Sequence, residues 1–474
     1  MFLRYAPACL LLAVATADAA TFYVNDINDS GPGTLRAAIL AANATPNPPH
    51  TIEFHSSFLD EGMVELMQTL PIIEVPLIID GAGKNPIVGS WESGLYFPLL
   101  RTRANLELRR FAMTRGRGDR QGGCVNAESA PTPIDLVVDD MTFSLCTNIA
   151  GSGFARGGAI RWEDAESRVS IRNSRFEYNV AVQSAGGQAS GGAVYAGGTI
   201  EVEGSVFNEN SVSGDQRSGG AISTPATLGA SVSIKQSSFR NNTLQAVVGS
   251  NNNSMGGAIT VDCYSGCDVE IEGSYFEGNH AAGGGAIFFR GHQGIVSATV
   301  TNTSFISNRG ELSGGAINAQ QGSLTIRHST FHDNYSATGG HLYLPSATVE
   351  ELSNSILGDV ATGSYPACWF AYAATLASGT FYPSGSVMCS GVLPGAVGVP
   401  NFQVVGVDRT ERMPVLEFAR TSPIIDAGDA SRCLPTDALG TTRPQDGNGD
   451  GIAACDAGAY EHTTSDRIFR NGFD

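Results

Sequence analysis

Short runs of alternating apolar and polar residues recur along this chain: Val169-x-Ile171, Ile200-x-Val202, Val232-x-Ile234, Val269-x-Ile271 and Leu324-x-Ile326. A period of two marks a strand with one covered face. After these runs comes a fixed grammar. A hydroxyl residue (Ser174, Ser205, Ser237, Ser274, Thr303, Ser329) stands two positions before a phenylalanine. The phenylalanine opens Phe-x-x-Asn at Phe176/Asn179, Phe207/Asn210, Phe239/Asn242, Phe276/Asn279, Phe305/Asn308 and Phe331/Asn334. A Gly-Gly pair, a small residue and an apolar residue follow, at Gly157–Ile160, Gly191–Val194, Gly219–Ile222, Gly256–Ile259, Gly284–Ile287 and Gly314–Ile317, with a degenerate copy at Gly339-Gly340-His341-Leu342.

The phenylalanines lie 31, 32, 37, 29 and 26 residues apart. Such a period, variable in length, belongs to a repeat architecture with unequal loops. No helical period fills the connections, which excludes βαβ units. The pattern predicts an all-β, right-handed parallel β-helix in which like positions stack about 4.8 Å apart. Phenylalanines would form an internal column. Asparagines would form a ladder at a turn, tolerating left-handed backbone. Glycines would sit where a Cβ cannot fit. Weaker copies extend the ladder, with Phe143 and Phe111 one and two periods before Phe176, Pro76–Gly83 as an earlier coil, and Ile356 continuing the column. About ten coils make a rod on the order of 50 Å long.

The ends read differently. Met1 to Ala20 has an early arginine, a short apolar core and Ala17-Asp18-Ala19, the form of a secretory signal covering residues 1–19. Residues 20–50 hold a strand and then a helix capped by Thr34, with Leu35, Ala38, Ile39 and Ala42 on one face. That helix would cover the first open rung. The repeats fill 51–360, a cysteine-containing C-terminal cap 361–462, and a tail 463–474. No later stretch is long and apolar enough for a membrane-spanning helix. Beyond Cys9, eight cysteines remain, and in an exported chain an even number favours disulfides. Their closeness in sequence favours successive pairing: Cys124 with Cys146, Cys263 with Cys267, Cys368 with Cys389 and Cys433 with Cys455.

The formal net charge is −18, which argues against a nucleic-acid partner. Candidate chemistry is sparse. Asp446, Asn448 and Asp450 alternate with glycines, and Asp456 follows, a set of oxygen donors suited to calcium. The alternative is an acidic glycine-rich turn that binds nothing. His280, His292, His328, His332 and His341 fall at unlike positions of the repeat and read as solvated turn residues. Of the carboxylates, Asp139-Asp140, Glu163-Asp164-Glu166, and Glu201/Glu203 with Glu270/Glu272 offer groupings, the last set pointing outward and interrupted by Ser231, Ser233 and Lys235. The longest connections, Val180–Ser190 and Thr243–Met255, are rich in Ser, Asn, Gln and Gly, which suits carbohydrate binding or inert turns.

The Gly-Gly-Ala-Ile and Phe-x-x-Asn signatures resemble the repeat of bacterial polymorphic outer membrane proteins. The segment Ser30–Asn43 resembles the CSLREA-type domain that precedes such β-helices. Ser422–Asp429 with Arg443–Glu461 is similar to a choice-of-anchor domain of exported bacterial proteins, and the last residues resemble short C-terminal sorting tails. These resemblances imply an exported protein at the outer membrane or cell surface. The resulting expectation is a non-enzymatic adhesive or structural role, with carbohydrate or another surface component as partner. The alternative is a carbohydrate-active enzyme, a polysaccharide lyase or glycoside hydrolase, using a face of the rod as its groove.

Overall fold

A single coil shows how the grammar folds. Thr199–Glu203 buries Ile200 and Val202 and turns Glu201 and Glu203 outward. After a left-handed Gly204, Val206–Asn208 buries Phe207. Ser211–Gly214 and Gln216–Ser218 follow, then the Gly219-Gly220 turn and the strand Ile222–Ser223. Each strand pairs in parallel with its counterpart one period on; Phe207, for example, stands opposite Phe176 and Phe239. Repetition produces four parallel sheets, here numbered in coil order from the Val-x-Ile runs. Among the described residues they contain 12, 13, 12 and 11 strands. The chain is a parallel β-helix. The computed structural model describes residues 19–463, apart from 93, 230, 247–252, 293–295, 362–365, 384–388, 390–395, 400–403, 409–413 and 420. The signal-like segment, except Ala19, and most of the tail lie outside the described residues.

Three columns hold the rungs together. Phe143, Phe176, Phe207, Phe239, Phe276, Phe305 and Phe331 stack with ring centroids 4.7–5.0 Å apart and planes within 11°. All seven are fully buried. Phe207→Ala therefore removes two stacking contacts and opens a cavity between fixed rungs. The expected loss is about 3–5 kcal/mol, read from chemical denaturation. In the second column Asn179, Asn210, Asn242 and Asn279 each donate through Nδ2 to the next asparagine at 2.9–3.0 Å, continuing through Asn308 to Asn334. Each also donates to a phenylalanine carbonyl of the previous coil, as Asn210 does to Phe176 at 3.0 Å. Hydroxyls form the third: Ser205 Oγ accepts from the Ser174 amide and Ser237 Oγ from the Ser205 amide, both at 3.1 Å. Satisfied ladders of this kind allow buried polar side chains inside an apolar rod.

Three register details correct the sequence reading. Phe143 pairs with Met113, so Met113 and not Phe111 occupies the column. Phe331 pairs with Leu357, and Ile356 faces outward. The left-handed residue of the Phe-x-x-Asn turn is the one before the asparagine, as in Tyr178, Glu209 and Asn241, because the asparagine's side chain must point inward.

The helix Leu35–Ala44 is capped by Thr34, whose Oγ1 accepts from the Ala37 amide at 3.2 Å, and it buries Leu35, Ala38, Ile39 and Ala42. It joins the core beside Thr21–Val24 and His50–Phe54, the first paired strands. At the other end the ladder passes residue 360, since Cys368–Phe370 joins the fourth sheet and Phe381–Pro383 and Val397–Val399 join the second. The repeat signature fades there because each column needs a next rung to stack on. The chain then runs back along the rod. Ile424, Ile425 and Ala457 cover the outward side chains of Tyr275, Ile306 and Ile356. Gln236, Asn302 and Asn354, all in left-handed turns between the first two sheets, donate to the carbonyls of Ala438, Thr436 and Asp429. The C-terminal region is thus partly a flank covering. All four disulfides join successive cysteines, as their spacing predicts.

Candidate functional site: a polar groove beside a fin

The long Ser- and Gln-rich connections are strands. In four successive coils the third sheet is doubled: Thr147–Ala150 with Ala155–Arg156, Val180–Gln183 with Gln188–Ser190, Ser211–Gly214 with Gln216–Ser218, and Thr243–Ala246 with Asn253–Met255. The two stacks form a thin fin that closes at His280–Gly283, whose ends pair with both layers. Its interior is built from small side chains, Ala150, Ala155, Ala181, Ala189 and Ala281, with Val212 and Leu244. Only small residues let two layers approach this closely.

A groove of about 580 Å³ runs between the inner layer of the fin and the outward face of the fourth sheet. Its floor follows from the strands after Gly-Gly. At their outward position stand Arg161, Tyr195, Ser223, Thr260 and Phe288, in register. The two small residues between Tyr195 and Phe288 lower the floor for two rungs. Gln188, Ser190, Gln216 and Ser218 form the fin wall, and Ser218 Oγ bonds Ser190 Oγ at 2.8 Å and Ser223 Oγ at 3.1 Å.

Charged groups gather at the next outward position. Glu163 is held by Arg161 through two bonds of 2.9 Å and by Arg156 at 2.9 Å. Burial opposes its ionisation, but the hydrogen bonds and charge of the two guanidiniums outweigh it and keep the carboxyl below its usual range. Asp262 pairs with Arg290 and accepts from or shares a proton with His292 Nε2 at 2.7 Å. The Arg156 guanidinium lies 5.0 Å from the Tyr195 ring centre and 4.5 Å from that of Phe154. Burial pushes the Tyr195 phenol up to about 12, so it stays a neutral hydroxyl.

Of the residues singled out from sequence, Glu163 and His292 enter the groove; Asp164 and Glu166 lie in an exposed turn. Asp139 and Asp140 sit with Arg109, Arg110 and Asn173 in a separate shallow depression. Lys235 lies 2.9 Å from Glu270 and 3.4 Å from Glu272, and Glu201 pairs with Arg168 at 2.5 Å, so three of the four outward carboxylates are engaged by cations. Two histidines correct the expectation of solvated turns. His328 is buried under the returning C-terminal segment, where Nε2 lies 3.0 Å from Asn354 Nδ2 and 3.3 Å from the Leu434 amide. His341 is buried at the end of the asparagine ladder, 3.2 Å from Asn334 Nδ2 and 2.9 Å from the Gly358 carbonyl.

In the Asp446–Gly451 loop, Asp446 accepts from the amides of Gly449 and Gly451, Asn448 from Asp450, and Asp450 from Ile452. Asp456 is buried and accepts from the amides of Asp426 and His462. Among the described residues no three His, Cys, Asp or Glu side chains converge as a ready-made metal site.

The sequence reading missed Tyr195, Asp262, Arg290 and Arg156. The first three had a signal: they stand three or five residues after the second glycine of a Gly-Gly pair, both outward positions of one strand. Arg156 had none, because its place depends on the fin.

Residues 273–290 match the family model of the Chlamydia polymorphic membrane protein repeat, a span that holds Phe276-x-x-Asn279 and Gly284-Gly285-Ala286-Ile287. No curated protein matches the chain. Among solved structures, one described as a new PL6 alginate lyase in complex with trisaccharide is similar over 90% of this chain and 95% of its own, at 11% identity and a TM-score of 0.36. The chain is a disulfide-bonded parallel β-helix, residues 273–290 of which match a polymorphic membrane protein repeat.

Proposed function

We propose that this chain is an exported β-helix protein of the bacterial cell surface with an adhesive role, and that the groove beside the fin binds carbohydrate. The observation that carries the reading is the lining of the groove. Hydroxyl and amide side chains form its wall and floor, an aromatic ring stands at one end, and both carboxylates are held by arginines. Such a surface offers many directional hydrogen bonds and little apolar area, as a sugar requires. Four disulfides and the repeat match support export and surface location. A second reading, cleavage of the bound chain, is favoured by His292, whose pairing with Asp262 fixes a ring of general-base chemistry in the groove.

The test is retention of the purified chain on immobilised polysaccharides, with new chain ends measured in parallel, in calcium and in chelator. We expect retention without cleavage, weakened at least tenfold by Ser223→Trp, which fills the floor. New ends that vanish in His292→Ala would establish the second reading instead. Calcium enters through the Asp446–Gly451 loop, with Asp446, Asn448, Asp450 and Asp456 as proposed donors. Higher melting temperature in calcium than in chelator is the expected mark of that site.

A further inference from the structure

We infer that the ligand of the groove is an acidic saccharide, one bearing uronate-type carboxylates; this rests on the reading that the groove takes carbohydrate. The argument is local charge. The chain as a whole carries −18, yet the groove runs the other way. Arg156 and Arg290 line it, and Arg161 stands behind Glu163. Against these three guanidiniums stand two carboxylates, Glu163 and Asp262. Behind the fin wall Arg217 adds another cation, buried and bonded to the Gly214 and Gln245 carbonyls, with Asp215 beside it as counter-charge. Counting all seven groups leaves one positive charge in excess, on a chain whose net charge is −18.

The bonding pattern says which cation is in excess. Glu163 is gripped at both oxygens by Arg161, so its charge is already met, and Arg156 shares only one of those oxygens. The Arg156 side chain is 25% exposed, whereas both Nη groups of Arg290 are engaged, with Met255 and Asp262. Arg156 is therefore the guanidinium that faces a ligand with charge to spare. Arg156 is also fixed in place, sandwiched near the rings of Tyr195 and Phe154, so its donors are pre-organised. A planar guanidinium with spare donors matches a carboxylate, and the surrounding hydroxyls and amides match the rest of a sugar ring.

The experiment is calorimetric titration with tetragalacturonate and tetraglucuronate, each beside its methyl ester, which keeps the ring and removes the charge. We expect an acid to bind at least tenfold more tightly than its ester. That advantage should shrink as salt rises and be lost in Arg156→Gln, a change that leaves Glu163 held by Arg161. An unchanged melting temperature shows that the variant is folded. Arg290 is the poorer choice, because its removal strands the buried Asp262. If an ester binds as well as its acid, the selection for charge is overturned while the carbohydrate reading stands. If neither acid nor ester binds, both fall.

Discussion

Lowering the pH from 7 to 4 will destabilise this protein by several kcal/mol, and two buried histidines will account for most of the loss. Burial, reinforced by Arg443, depresses His328 from 6.5 to about 3, and burial depresses His341 from 6.5 to about 4. Both are folded as neutral rings. In the unfolded chain they protonate near pH 6.5, so below that value the unfolded state binds more protons and gains stability relative to the fold. The loss begins as pH falls through 6.5 and grows until the folded values are reached. At pH 4 each ring accounts for a loss on the order of 3 kcal/mol. The repeat itself supplies the controls. The turn column of His328 holds asparagine at Asn302 and Asn354, and the position of His341 is alanine in the six intact Gly-Gly copies. His328→Asn with His341→Ala should flatten the dependence of melting temperature on pH between 6.5 and 4. An acid transition as steep as that of the native chain would place the effect elsewhere.

The second large effect concerns a single methyl group. Gly192→Ala is expected to cost more than about 3 kcal/mol and to prevent accumulation of folded protein, whereas Gly151→Ala is expected to be silent. A Cβ at Gly192 would lie 2.0 Å from the Gly220 carbonyl oxygen and under 3 Å from the Ser211 backbone, whereas one at Gly151 meets nothing within 4 Å. The obstacle is the next rung's main chain, held at sheet spacing by hydrogen bonds on both sides, so no side chain can move aside. The same contact recurs down the column, with 2.0 Å at Gly158, 2.1 Å at Gly220 and 2.0 Å at Gly257. The first glycine of each pair serves another purpose, the left-handed turn, as at Gly191 with φ 65°. Soluble yield and circular dichroism of the two variants decide the matter.

The repeat made the solenoid legible, because stacking imposes the same requirement on the same position in every coil. Phenylalanine, asparagine, the hydroxyl residue and the glycine pair each answer one steric or hydrogen-bonding demand, so their recurrence revealed the fold. Errors came where the repeat decays. Phe111 and Ile356 looked right by composition, yet they miss the column by two residues and one residue respectively, and only strand register shows this. Histidine was misjudged for a related reason. His328 sits in a turn that is exposed in a lone rod, and the C-terminal segment that buries it arrives from about a hundred residues away.

By itself, then, the sequence determined the parallel β-helix, the stacked columns, the capped N-terminal helix and the pairing of the cysteines, since each depends on contacts between neighbouring coils or neighbouring residues. Tertiary structure decided the rest. Connections read as loops became a fin because alanines allow two layers to close on each other. The groove exists because that fin stands opposite a pair of small residues on another sheet. Its charges come from Arg156, Glu163, Asp262 and Arg290, spread over 135 positions. No periodicity in one strand encodes how far a neighbouring layer projects, and that distance is what brings these side chains into one site.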